Sequence, residues 1–252
     1  MNFHVITDPW FYAAAIPAVF LMGLSKSGFG AGFGALAVPI MALSVSVPQA
    51  AAIFMPLLLA MDVIGITAFR KDVDRQLLRF LLPWGLVGII AGTLLFKLVS
   101  ASTVAGIVGI LTLLFLAQRL LFPPSADAGP LPKWIGRWLI AAAGFTSFVA
   151  HAGGPPYSAY ILRLKLKPIV YTATAAYFYF IVNLSKWIPY AWLGLLDLRN
   201  FSTSIVLMPI AFAGTWLGIR IARHIQPTLF YRLIYTGMFL TGCKLVWDGF
   251  VQ

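Results

Sequence analysis

Two residues combine chemical capacity with an unusual setting. Lys26 stands in Gly23-Leu24-Ser25-Lys26-Ser27-Gly28, and His151 opens His151-Ala152-Gly153-Gly154-Pro155-Pro156. Each lies in a glycine-rich interruption of a long apolar stretch, beside residues that donate hydrogen bonds. The first interruption runs on through Gly30 and Gly32, and the second is followed by Tyr157. An ammonium, an imidazole and hydroxyls at Ser25, Ser27 and Tyr157 are the parts of an anion site. Gly28, Gly30, Gly32, Gly153 and Gly154 let a ligand approach the backbone, and Pro155 suits the first turn of a following helix, whose N-terminus attracts negative charge. Asp62 lies deep inside another apolar run, where it can pair with Lys26 structurally or serve transport, for example by holding a coupling proton. Asn183 and, one turn along, Lys186 occupy the corresponding place later in the chain.

The rest of the composition closes off other chemistry. The 252 residues carry 18 Lys and Arg against seven acids. All seven acids are Asp, so paired-carboxylate catalysis has little material. One cysteine and three histidines give no disulfide and no expected metal or redox cofactor. No GxxxxGK[ST] segment is present to bind ATP. The net charge of +11 is spread between apolar runs instead of gathering on one face, which fits basic loops beside a membrane and not a nucleic-acid surface. At 61% hydrophobic and 10% charged residues, the chain reads as an all-α integral membrane protein.

A membrane-crossing helix needs about 20 apolar residues at roughly 1.5 Å each. Segments 49–69, 77–96, 102–121, 168–195, 202–222 and 228–250 meet this. The segments around the two interruptions are shorter: 9–24 and 33–47 in the first case, 138–150 and 156–165 in the second. Each pair reads as a re-entrant hairpin whose tip lies at depth, with two thin or tilted full crossings as the alternative for the first pair. The N-terminal run lacks a cleavage pattern and reads as a retained helix.

Both halves follow one plan, a re-entrant or broken hairpin followed by three transmembrane helices. Gly23-Leu24-Ser25-Lys26-Ser27 overlays Gly144-Phe145-Thr146-Ser147-Phe148. Leu82-Pro83 with Gly88 and Gly92 recurs as Met208-Pro209 with Gly214 and Gly218. The domains expected are therefore a first repeat over 1–122, a Pro-rich cytoplasmic linker over 123–136 and a second repeat over 137–252. An odd number of crossings per half inverts the repeats and gathers Arg70, Lys71, Arg75, Arg79, Arg119, Lys133, Arg137, Arg163, Lys165, Lys167, Arg220 and Arg223 on one face. That face is expected to be cytoplasmic, leaving the N-terminus outside. Backbone that leaves helical geometry at depth must be packed in protein or line a polar cavity, so the two tips predict a midplane site.

The segments Gly23 to Gly34 and Ala150 to Pro156 resemble the signatures of the TauE/SafE sulfite exporter family, inner-membrane proteins built from two repeats. The resemblance covers essentially the whole chain and implies Ser25, Lys26, Gly28, Gly30, His151, Gly153, Gly154 and Pro155 as site residues. Phe148 and Val149 stand where a glycine is expected. It also implies a bacterial inner-membrane secondary transporter, not an enzyme, acting on a small anion such as sulfite, sulfoacetate or another organosulfonate. Export by alternating access is the leading expectation, with proton- or sodium-coupled uptake of a small sulfur-containing or carboxylate anion as the alternative. A membrane-embedded enzyme using His151 as base is the remote one. The partners expected are a small anion and membrane lipid, with homo-oligomerisation open and nucleic acid excluded.

Overall fold

The computed structural model describes residues 5–26, 34–121, 129–221 and 227–250. Among these the regular structure is helical throughout. In chain order the helices are α1 (Pro9–Leu24), α2 (Ala37–Met41), α3 (Val47–Ala68), α4 (Arg75–Leu98), α5 (Ala101–Leu121), α6 (Lys133–Ala150), α7 (Gly154–Ile161), α8 (Pro168–Trp192), α9 (Leu198–Ile221) and α10 (Pro227–Phe250). Short 3₁₀ turns precede α2 (Gly34–Leu36) and follow α7 (Leu162–Leu164).

Helix starts follow local chemistry. Asp8, Ser46 and Asp74 cap α1, α3 and α4 by accepting from Trp10, Gln49 and Leu77 amides at 2.9, 3.4 and 2.9 Å. Each of the six apolar runs forms one helix. Three helical stretches are long and apolar enough to cross a membrane by length and composition: Val47–Ala68, Arg75–Phe96 and Leu198–Leu217. The tyrosines and tryptophans of α8, with Asn183 and Lys186, keep its hydropathy lower. Two boundaries differ from the sequence reading. Helix α6 starts at Lys133, directly after Pro132, so its 18 residues span about 27 Å instead of beginning at residue 138. The first return arm ends at Met41, where the Ser44 hydroxyl donates to the Met41 carbonyl at 2.9 Å and Ser46 is taken up as the cap of α3.

The principal packing pairs recur when the halves α1–α5 and α6–α10 trade places. Helix α1 packs on α9 as α6 packs on α4, and α3 packs on α9 as α8 packs on α4. The remaining principal pairs, α3 with α8 and α5 with α10, map onto themselves. Even the crossing points correspond. A Cβ added at Gly88 would collide with the Ala141 carbonyl, and one added at Gly214 would lie 2.6 Å from the Phe20 carbonyl. These glycines let backbones touch, the usual way membrane helices approach closely.

Directions follow from paired contacts. Gly109 meets Gly242 and Val246 while Gly249 meets Gly106 and Ser102, so α5 and α10 run antiparallel. Gly65 lies against Ala176 and Asp62 against Asn183, so α3 and α8 are antiparallel too. Helices α3 and α9 run parallel through Gln49–Asn200 (3.2 Å) and Ser204–Ile53 (2.7 Å). So do α1 and α9, through Ile6–Thr203 (3.2 Å) at one end and Gly23–Thr215 at the other. Helices α1 and α3 therefore start from the same end of the bundle. By the same reasoning α6 and α8 both run parallel to α4, through Gly88–Ala141 and Gly92–Phe148 for α6, and through Asp74–Thr174 and Gly85–Phe178 for α8. These directions bring Arg70, Lys71, Arg75, Arg79, Lys133, Arg137, Arg163, Lys165 and Lys167 to one end of the bundle, while Arg199 and Lys244 lie at the other. Leu98, Ile188 and Leu198 are 79–84% exposed on the flanks, as lipid-facing side chains are.

Candidate functional site

Asp62 lies 15 residues beyond Val47 in α3, and Asn183 lies 15 beyond Pro168 in α8. Each is therefore about 22 Å along its helix. Because the helices are antiparallel the two residues meet at mid-depth, and the Asn183 amide donates to Asp62 Oδ2 at 2.5 Å. The other carboxylate oxygen, Oδ1, takes the Lys26 ammonium in an ion pair. Lys26 sits past the end of α1, where the helix widens into a π-type turn at Ser25 and Lys26. The Lys26 ammonium also lies 5.3 Å from the centre of the Tyr179 ring.

On the far side of Asn183 the chain of contacts continues. Lys186 is fully buried, and its nitrogen lies within hydrogen-bond reach of four neutral groups that share its N–H donors: Ser147 O (2.7 Å), Ser147 Oγ (2.8 Å), Asn183 Oδ1 (2.8 Å) and His151 Nδ1 (3.0 Å). With Nδ1 accepting, His151 Nε2 carries the proton and donates to the Ala51 carbonyl at 2.8 Å. Both imidazole nitrogens are thus committed inside the protein. His151 ends α6 in a left-handed conformation (φ 52°), and the flanking amides bind back to Ser147 and Thr146 carbonyls at 3.0 and 3.1 Å. This is the cap geometry in which glycine is the usual occupant. Here the turn carries an imidazole instead and points it at α3.

Lys26, Asp62, Asn183, Lys186, Ser147 and His151 therefore form one network between the two hairpins and the α3–α8 pair. It sets two lysine amines and the His151 imidazole against a single carboxylate, Asp62. The network borders a cavity of about 110 Å³. A cavity of this size admits water and a small anion. Ser25, Lys26, Asp62, His151, Gly154 and Asn183 line it with Ser147, Gly65, Met61, Tyr171, Thr172 and Tyr179. Lys186 stands just behind the wall.

Other residues singled out from sequence lie elsewhere. Ser27, Gly28, Gly30 and Gly32 are outside the described residues. Gly153 is a packing position, where a Cβ would lie 2.6 Å from the Ala143 carbonyl and 2.8 Å from Ser147 Cβ. Pro155 faces the other way, into a separate apolar cavity of about 320 Å³ shared with Leu111, Phe115 and Leu139. Tyr157 is fully buried among Tyr171, Phe178 and Tyr179 and does not reach the central cavity. The N-terminal turn of α7 is also a weaker anion donor than its position suggests, because Pro155 and Pro156 have no amide and Gly154 supplies the one N–H of that turn. Sequence reasoning missed Tyr171, Thr172 and Tyr179. For the two tyrosines the signal was the i, i+4, i+8, i+12 spacing of Tyr171, Ala175, Tyr179 and Asn183, which puts them on one side of α8. Among the described residues no three His, Cys or Asp side chains converge as a metal site would require.

Among the described residues, helices long and apolar enough to span a bilayer enclose a buried lysine–aspartate network, the class of an integral membrane protein. The family described as Sulfite exporter TauE/SafE matches residues 15–245, and the chain belongs to that family. Membership makes it a transporter of the sulfite-exporter type. Comparison with curated proteins and with solved structures gave no match in either set.

Proposed function

We propose that the protein is a secondary carrier exporting a small anion, such as sulfite, sulfoacetate or another organosulfonate, across a bacterial inner membrane. The observation that carries this reading is the Lys26 ammonium on the wall of the central cavity, with Lys186 behind it and Asp62 the sole carboxylate among the described lining residues. Lysines buried at membrane depth are costly and mark sites where an anion binds or passes. Ser25, Tyr179 and the Gly154 amide add donors around the same space.

Alternating access has its structural basis in the exchange-symmetric packing. Repeat-equivalent helices α3 and α8, and α5 and α10, run antiparallel, which is the signature of inverted repeats about an axis in the membrane plane. The end gathering Arg70, Lys71, Lys133 and Arg163 is cytoplasmic by the positive-inside rule, and the N-terminus is outside. Energetics favour export: a potential of 100 mV is worth about 2.3 kcal/mol per charge, so a dianion leaving a cell that is negative inside gains about 4.6 kcal/mol. Engagement of both His151 nitrogens within the protein supports a carrier over an enzyme that would use His151 as base.

The test is counterflow in proteoliposomes of the purified protein, with labelled sulfite, sulfoacetate and a carboxylate of similar size. Sulfite or sulfoacetate is expected to exchange, and Lys26→Gln to lower the rate at least about tenfold, the equivalent of one buried charge contact. No exchange of any of the three anions would sink the carrier reading.

A further inference from the structure

Resting on the anion-carrier reading, we infer that Asp62 is a proton-binding site tied to the anion site. When an anion takes the Lys26 ammonium, the Asp62 carboxylate takes a proton, and the two cross the membrane together.

The geometry leaves few other arrangements. Lys186 is not on the cavity wall, and four neutral acceptors surround its ammonium. Lys26 is on the wall and partly exposed, so it is the cation an incoming anion reaches first. Its charge is already matched by Asp62, whose side chain is 1% exposed and whose second oxygen is held by Asn183. An anion that draws Lys26 away therefore leaves a buried carboxylate with one neutral hydrogen bond. The charged or titratable groups facing Asp62 are Lys26 from the end of α1, Tyr179 and Lys186 from α8, and His151 from α6. None donates to the freed oxygen: Lys186 reaches Asp62 only through Asn183, its nitrogen being held by Ser147, Asn183 and His151, and Tyr179 is neutral. A buried carboxylate without its counter-ion protonates instead of staying charged.

The balance is simple. The Lys26 to Asp62 Oδ1 contact breaks, a Lys26–anion contact forms, and one O–H bond forms on Asp62 with a proton drawn from water at the open face. On the other face the anion leaves, the proton returns to water and the ion pair closes again. A dianion then moves with one net charge and a monoanion with none.

The experiment uses the full-length protein in proteoliposomes with the potential clamped at zero and labelled sulfoacetate as the probe. Sulfoacetate is a dianion with no group titrating near neutral pH, so it brings no proton of its own. A step of one pH unit, alkaline inside, is expected to accumulate the probe about tenfold, one proton per anion. An equal sodium gradient is expected to accumulate none. In Asp62→Asn the accumulation ratio is expected to ignore the pH step however slow the variant is, since the ratio does not depend on rate. Counterflow by the wild type without pH-driven accumulation, or accumulation driven by sodium, overturns the proton linkage and leaves the carrier standing. Absence of counterflow of sulfoacetate, sulfite and the carboxylate alike in the same vesicles overturns both.

Discussion

His151 holds the network together from a backbone conformation that few side chains adopt. Its φ of 52° costs a residue bearing a Cβ about 1–2 kcal/mol relative to ordinary helix, and glycine pays almost none of this. Replacement by Ala and by Gly removes the same contacts to Lys186 and Ala51 and differs chiefly in that strain. His151→Gly is therefore expected to melt higher than His151→Ala, by the equivalent of about 1 kcal/mol in detergent solution. An Ala variant as stable as the Gly variant would show that the turn relaxes once the imidazole is gone. Legibility at this scale was uneven. The depth of Asp62 and the place of Asn183 could be read by counting along apolar runs, and the ion pair with Lys26 was one of the stated options. The contact between His151 and Lys186, 35 positions apart, could not, because nothing in either segment fixes how α6 and α8 are rotated against each other. The opposite facing of Gly154 and Pro155 has the same origin. Neighbours on a helix point about 100° apart, and the short α7 arm is apolar on several sides, so no periodicity selects its face.

Helix existence was the most readable level. Long charge-free runs leave the backbone no partner in lipid but itself, so each run had to be one helix. Helix ends were less readable where the chain is apolar across a boundary, as at α6, which continues to Lys133 because only Pro132 stops it. The recurrence of Pro83 and Gly88 as Pro209 and Gly214 read only as repeat symmetry, and the structure places Gly88 and Gly214 where α4 crosses α6 and α9 crosses α1. At these crossings a glycine matters by what it lacks. Gly88→Ala is expected to force α4 off α6, since its Cβ would collide with the Ala141 carbonyl, and Gly214→Ala to force α9 off α1. Overpacking of this kind costs about 1–3 kcal/mol or more. Gly129→Ala, with no atom within 4 Å of the added carbon, is the control and should leave the thermal midpoint unchanged. Equal midpoints for Gly88→Ala and Gly129→Ala would mean that the crossings are not close-packed.

At the scale of the molecule, the arrangement of directions makes a prediction about sidedness. With the exposed Cys243 changed to Ala, Thr7→Cys should react with an impermeant thiol reagent on intact cells, and Lys71→Cys should react only after the membrane is opened. The reverse pattern would invert the orientation, and labelling of both from outside would break the shared-end assignment of α1 and α3. The sequence carried this much because basic residues cluster between particular spans. The sequence could not show that the halves pack by exchange, which depends on which helices touch.

The hydrogen bond from Asn183 to Asp62 bears on how such a chain can arise. The two side chains come from matching positions of the two halves and complete one another only because they differ: a carboxamide gives a proton that a carboxylate receives. A homodimer of either half alone would set like against like there, two carboxylates repelling each other or two amides with no charge to anchor Lys26. Carrying both helices in a single polypeptide removes that restriction, because each position is then free to keep a different letter at the shared contact.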